Sequence, residues 1–388
     1  MTKKTLLFDL TAFQPSQGKF HGAGEYAKSV LLELIKNKVL FDGVFIPNKW
    51  IDETIVSMLK KHNCKMLPIN NNKDLQKIIN TKYYSTFFSA LGYDYYNIDF
   101  SNTKYKFVLH GLRDLEMPCD KYEFFCKTNL SILIKYLIKF FFPKYYKNRI
   151  FSKFKKLIKI NNSEIIVPSL HTKYSVLSFF NWINPKSIKV FYSPEKIVLQ
   201  KTISSSFLKT KGLEPKKFFL LINANRWIKN PIRAIKEMDL LYSQHDIKYK
   251  TAILGGKSLN KFLLQLKNPN SFIFLDYVSD GELETLYKNA YLFLYPTLNE
   301  GFGYPPLEAM KYSTPTICSS VSSVSEIYQN SVLYINPFIP SEISNRILLL
   351  LNEKSIYKEY CIKAKKQYDI ISKKQKLMLN NLVKTITD

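Results

Sequence analysis

The sequence lacks clustered cysteines, long apolar runs and acidic residues in proportion to its bases. Its five cysteines (Cys64, Cys119, Cys126, Cys318 and Cys361) are odd in number and scattered. No CxxC or Cys/His spacing suggests zinc, so they read as reduced thiols of a cytosolic protein. The N-terminal MTKKTLLFDLTAF has too short an apolar run for a secretory signal, and Asp9 interrupts it. No uninterrupted apolar run approaches the roughly 18 residues of a membrane span, so a soluble or peripheral protein is expected. There is no internal repeat and no low-complexity linker. Only 31 acids face 57 lysines and arginines, a net charge of +26. Such an excess favours a polyanionic partner: nucleic acid, an anionic membrane face or phosphorylated small molecules.

What is present is enough to build packed domains. Apolar residues make up 46% of the chain and aromatics 15%, which excludes wholesale disorder. At 388 residues the chain exceeds a single ordinary core, so two domains are expected. Short apolar runs (TLLFDL, FDGVFIP, YKFVLHG, SEIIVPS, SIKVFYS) alternate with amphipathic stretches such as GEYAKSVLLELIKN. The pattern restarts after residue 196 with FFLLINA, a helix over NPIRAIKEMDLLYSQ, YKTAILGG, a helix near 258–267, and SFIFLDYV. Ser279 and Glu282 form a capping-box pattern that starts a helix, and YLFLYPT and TPTICSS are the next strands. Strand–helix alternation in both halves predicts an α/β chain with parallel sheets. The expected domains are residues 1–195 and 196–388, both Rossmann-like and facing across a cleft. The Lys-rich tail after about residue 353 is read as helical and able to cross back.

One segment, YPTLNEGFGYPPLEAMKYSTPT at 295–316, combines unusual demands: Glu300 and Glu308, Gly301 and Gly303, Pro305 and Pro306. Ligands of doubly wound sheets bind beyond the carboxyl ends of the strands, where TLNEGFGY falls after YLFLYP. The prolines fit the first turn of a helix, the glycines allow close backbone approach, and carboxylates grip sugar hydroxyls. The segment NEGFGYPPLEAM resembles the E-x7-E signature of the family-4 retaining glycosyltransferases, with LYKNAYLFLYPT and STPTICSSVSSVSEI as its flanks. The resemblance implies a GT-B fold whose second domain holds most of a nucleotide-sugar donor. It assigns Glu300 to hydroxyls of the transferred sugar and Glu308 to the ribose. The backbone around Gly301, with the amides of Phe302, Gly303 and Leu307, would face sugar and diphosphate.

In LLINANRWIKNP, Arg226 and Lys229 follow a strand and precede a helix, placed to stabilise a departing diphosphate. The resembled family separates its Arg and Lys by four residues, whereas here two intervene. GKFHGAGEYAKSVL carries Gly18, Gly22 and Gly24 before a helix and resembles the family's G-x-G-x-Y loop over the diphosphate. His110, directly after the strand in VLHGLRDLEMP, matches a family histidine that contacts the donor sugar. Arg113, Asp114 and Glu116 follow and could meet the acceptor. His21, His62, His171 and His245 have no comparable context, although VPSLHTKYS could border the cleft. No Asp-x-Asp pair stands in a metal-clamp setting, so no catalytic metal and no other cofactor is expected.

Residues 127–159 hold ten Lys/Arg, and no acid occurs between Glu123 and Glu164. Interleaved aromatics and Pro143 suit two helices in an anionic lipid interface, or two core-packing helices with lysines on their solvent face. No nucleic-acid module accompanies the charge, so nucleic acid is not the expected partner. Together these readings predict a retaining glycosyltransferase, cytoplasmic and peripheral on the inner face of the membrane. It would act on a glycan or lipid-linked acceptor in capsule or O-antigen synthesis. The rivals are a GT-B sugar-nucleotide hydrolase or epimerase, and a non-catalytic protein that binds polyanions or glycans.

Overall fold

The computed structural model describes residues 6–14, 22–92, 95–126, 130–197, 206–256, 259 and 265–388. Two compact units emerge, each built on one wholly parallel sheet. The first sheet contains β1 (Leu6–Asp9), β2 (Phe41–Phe45), β3 (Met66–Pro68), β4 (Thr86–Ser89), β5 (Lys104–Val108), β6 (Ser163–Val167) and β7 (Ile188–Val190). Its order is β3-β2-β1-β4-β5-β6-β7. The second contains β8 (Phe218–Leu221), β9 (Lys250–Leu254), β10 (Phe272–Leu275), β11 (Leu292–Tyr295), β12 (Thr316–Ser319) and β13 (Leu333–Ile335), ordered β10-β9-β8-β11-β12-β13.

Central strands of parallel sheets are covered on both faces and read as continuous apolar runs. FFLL of β8 and LFLY of β11 fit this, and every residue of both is buried. In the first unit alternate strand residues feed two cores. Leu6 and Phe8 join Tyr26, Val30 and Phe41 on one side, while Leu7 packs with Phe87, Tyr105 and Phe107 on the other. Three strands escaped the sequence reading: β3, β4 and β13 are three or four residues long. In β3, Met66 and Leu67 are only half-buried and Pro68 is exposed, so no buried apolar run marks the strand. The helix expected near 258–267 lies largely outside the described residues.

The unit boundaries differ from a single cut near residue 195. Residues 117–147 cluster with the second unit and 372–388 with the first. Apolar packing accounts for both exchanges. Met117 joins Ile228 and Leu298, and Tyr122 packs on the second unit's core. At the other end, the long Lys354–Thr387 helix places Leu379, Leu382, Val383 and Ile386 in the first unit's core. Buried Lys106 of β5 donates to the Thr385 carbonyl, a cation at a helix C-terminus where the backbone dipole favours it. Among the described residues no helix is long and apolar enough to cross a membrane.

The capping box is present in full. Ser279 N–H donates to Glu282 Oε2 at 2.7 Å and Glu282 N–H donates to Ser279 Oγ at 3.3 Å, opening the Asp280–Asn289 helix. Replacing Ser279 by Ala should lower unfolding free energy by about 1 kcal/mol, read as an earlier urea midpoint at unchanged slope.

Candidate active site

In the second sheet the strand order reverses between β8 and β11. Loops leaving the carboxyl ends of two such strands diverge to opposite sides, which opens a crevice for ligands. The two segments singled out by sequence leave these two strands. After β8 the chain turns tightly: Arg226 N–H bonds Asn223 O, Lys229 N–H bonds Arg226 O, and Asn230 N–H bonds Trp227 O. Asn230, at φ 56°, then starts the Pro231–Gln244 helix. After β11, Leu298 N–H donates to Ile228 O at 2.8 Å, so the two loops are joined through their backbones.

The tight turn directs Lys229 and Arg226 differently. Lys229 is 5% exposed and its Nζ forms a salt bridge with Glu300 Oε1, itself on a residue only 8% exposed. Nζ also donates to Tyr295 Oη at 2.9 Å and lies 4.9 Å from that ring's centroid. Thr297 Oγ1 sits 2.7 Å from Glu300 Oε1 and 3.1 Å from the Ile228 carbonyl oxygen. The Glu300 backbone is held as firmly: its N–H donates to Ser322 Oγ at 2.8 Å, and Ser323 Oγ donates to its carbonyl at 3.1 Å. Ser322 adopts φ 49°, a costly conformation for a residue with a side chain. Arg226 is exposed, and among the described residues no ion pair or side-chain hydrogen bond holds its guanidinium. The sequence reading treated the two cations as one pair; the structure gives one to the carboxylate and leaves the other towards solvent. The two-residue spacing explains this, because a single tight turn carries Lys229 back under the Glu300 loop.

Gly303, at φ 87°, caps the Tyr304–Met310 helix, a conformation that excludes most side chains. Pro305 and Pro306 occupy its first turn as expected. They also remove two backbone donors, and the Leu307 N–H is engaged by the Tyr328 hydroxyl, which itself donates to Gly303 O. The helix start therefore offers fewer donors to a diphosphate than the sequence suggested. Phe302 and Leu307 have buried side chains, so any contribution from them is through the backbone. Glu308 accepts a hydrogen bond from Tyr287 Oη at 2.7 Å. Burial, then the neighbouring Glu308, holds the Tyr287 hydroxyl well above the usual phenol range; Tyr295 is raised by burial and then by Glu300. Both stay neutral donors at any ordinary pH.

Sequence reasoning missed Thr297, Ser322, Ser323 and the three tyrosines Tyr287, Tyr295 and Tyr328. A usable signal existed: a tyrosine inside an apolar run needs a partner for its hydroxyl once buried.

In the first unit, Gly22 begins the Gly22–Lys36 helix in open space, and Gly24 is buried. Gly18 and His21 lie outside the described residues. His110 follows β5 and stands edge-on to Tyr26, ring centroids 5.3 Å apart. Its Nε2 is 2.9 Å from the Ala90 carbonyl oxygen, which fixes the neutral ring as the Nε2–H tautomer. Glu116 receives the Ser175 hydroxyl and lies 3.4 Å from His171 Nε2. Among the described residues no group of three or more His, Cys, Asp or Glu side chains is placed to hold a metal ion.

Residues 205–368 match the family described as Glycosyl transferases group 1. The O-antigen chain mannosyltransferase RfbU of Salmonella typhimurium is 27% identical over 215 residues, 54% of this chain, and the chain spans 57% of that relative's length. Among solved structures, HepE of Anabaena in complex with UDP-glucose aligns over 98% of this chain and 99% of its own, with TM-score 0.70 at 15% identity. WaaG, a glycosyltransferase involved in lipopolysaccharide biosynthesis, aligns over 98% and 99% with TM-score 0.65 at 12% identity. The two parallel α/β units are those of the GT-B fold.

Lys229→Met would leave Glu300 buried without its countercharge and should cost about 3–5 kcal/mol of unfolding free energy. Arg226→Met, at an exposed site, should change stability by less than about 0.5 kcal/mol. Paired urea melts decide this; equal effects would contradict the inward and outward placement.

Proposed function

We propose that the chain is a retaining, metal-independent glycosyltransferase that transfers a sugar from a nucleotide-sugar donor to a lipid-linked glycan during bacterial surface polysaccharide synthesis. One observation carries the reading: a buried carboxylate, Glu300, clamped by Lys229 and Thr297 at the crevice where β8 and β11 part, with the exposed cation Arg226 on the adjoining loop. A carboxylate held without rotational freedom suits the hydroxyls of a sugar, since its orientation is fixed before the ligand arrives. Arg226 is assigned to the diphosphate, whose charge grows as the bond to the sugar breaks. Lys229 orients Glu300. Glu308, steadied by Tyr287, is assigned to the ribose. His110, Gly22 and Gly24 keep the roles implied by the resemblance, contact with the donor sugar and the diphosphate.

In this mechanism the sugar–phosphate bond loosens towards an oxocarbenium-like state. The acceptor oxygen bonds the anomeric carbon on the same face, and the departing phosphate oxygen takes its proton. No protein nucleophile is required. The description of RfbU as a mannosyltransferase supports mannose as the transferred sugar. The basic residues of 127–159 support a peripheral position on an anionic, cytoplasmic membrane face. In the first unit, Lys155 and Lys159 also lie over the Trp182 ring at 5.7 and 5.9 Å.

The direct test is a donor screen of purified chain, following nucleoside diphosphate release with and without membrane lipid extract. Release should require the extract, survive EDTA and fall at least about a hundredfold in Glu300→Ala, in line with loss of a fixed electrostatic contact. Full release without any acceptor would favour the hydrolase, and no release with any donor would sink the enzyme reading. Glu308→Ala should weaken nucleotide affinity; unchanged affinity would remove the ribose assignment. Replacing Lys153, Lys155, Lys156 and Lys159 by Gln should reduce sedimentation with anionic liposomes, and unchanged pelleting would remove the membrane claim.

A further inference from the structure

The segment 117–147 lies between β5 and β6 in sequence but is packed on the second unit, against the turn that carries Arg226 and Lys229. Three contacts brace it there. Met117 packs with Trp227, Ile228 and Leu298. Asp120 pairs with Arg233 at 2.8 Å, and the Arg233 guanidinium lies 4.5 Å from the Tyr122 ring centroid. Lys139, on the Leu130–Phe141 helix, pairs with Glu123 at 2.9 Å, with both side chains under 10% exposed. Its Nζ lies 5.1 Å from the ring centroid of Trp227, the residue after Arg226. A lysine over an indole face is attracted by the ring's negative centre, more strongly when desolvated as here.

The opposite edge of the same helix is unlike an ordinary solvated face. Ile134, Leu137, Phe140 and Phe141 are exposed, and Phe142 and Tyr145 extend the patch around Pro143. Phe141 and Phe142 are 67% and 64% exposed. Lys135, Lys144 and Lys147 are exposed among them, and no acid lies between Glu123 and Glu164. Protruding aromatics with bases and no acid fit the interface of an anionic bilayer, where rings enter the headgroup boundary and lysines meet lipid phosphates. The charge complementarity selects this occupant: an acidic protein partner would match the lysines but leave the aromatic corner without an apolar phase.

We propose that Lys139 is a positioning residue that couples engagement of this corner with an anionic lipid surface to the donor loop. The proposal rests on the glycosyltransferase reading above. Lipid holds the Leu130–Phe141 helix, the helix holds Lys139 on Trp227 and Glu123, and Trp227 fixes the turn from which Arg226 projects. Coupling between two ligands is reciprocal, so nucleotide binding must strengthen lipid binding by the same factor.

The test uses the full chain with donor and a fixed amount of the membrane lipid extract as acceptor source, carried in vesicles of phosphatidylcholine alone or with phosphatidylglycerol. Three quantities are read: pelleting, nucleoside diphosphate release, and hydrogen exchange of peptides covering 226–230. With anionic vesicles the wild-type chain should pellet, exchange more slowly over 226–230, and release diphosphate about fivefold faster or more. Phe141→Ser with Phe142→Ser should lose all three responses and keep the rate seen with the neutral phosphatidylcholine vesicles. Lys139→Met should keep pelleting but lose the exchange and rate responses, and Lys139→Arg should retain them. Should Lys139→Met misfold, Glu123→Leu combined with Lys139→Met leaves no unpaired buried charge and replaces it. Exchange over 226–230 that ignores vesicles, or a Lys139→Met chain that responds fully, overturns the coupling. A chain that shows the exchange response yet turns over no donor overturns the enzyme reading instead.

Discussion

The structure of the candidate site depends on one buried ion pair. Glu300 and Lys229 come from loops far apart in sequence, and each is almost wholly removed from water. Neither charge is tolerable alone in that setting, because desolvation of an unpaired ion exceeds what the surrounding packing returns. Buried pairs of this kind contribute little net stability. Their effect is to fix position, and here what is fixed is a carboxylate at the carboxyl end of a central strand. Thr297, Tyr295 and Ser322 then leave Glu300 little freedom of side chain or backbone.

That pair also explains the mixed demands of 295–316. Backbone freedom is needed at Gly303, which turns the chain at positive φ so that a helix can start directly after the loop. Rigidity comes from Pro305 and Pro306, from the Tyr328 hydroxyl on the Gly303 carbonyl, and from the backbone bond between Leu298 and Ile228. The two carboxylates serve different neighbours: Glu300 is enclosed with Lys229, whereas Glu308 is partly open and meets Tyr287.

Much of this was legible in the sequence because it rests on strong local signals. The runs FFLL and LFLY announced buried parallel strands, and Ser279 with Glu282 announced a helix start. The glycine–proline order around Glu300 announced a loop entering a helix. What stayed hidden depended on contacts distant in sequence. Nothing near Lys229 shows that it turns inward; that follows from the two-residue spacing closing a tight turn under a loop some seventy residues later. The placement of 117–147 on the second unit was equally hidden, since Met117, Asp120 and Lys139 find Ile228, Arg233 and Trp227 only in three dimensions. The lysine stripe was visible, whereas the aromatic edge was recognisable only once its side chains were seen to be exposed.

The central claim is that Lys229 acts on the donor through Glu300. It is tested most directly by a double-mutant cycle on donor affinity. Lys229→Met, Glu300→Gln and the double variant would be compared with wild type by calorimetric titration of the nucleotide-sugar that wild type turns over. The account predicts strong non-additivity, with a coupling of about 1 kcal/mol or more, because either change alone already disables the shared contact. Losses that add to within about 0.5 kcal/mol would mean that the two residues reach the donor independently, and the account would fail.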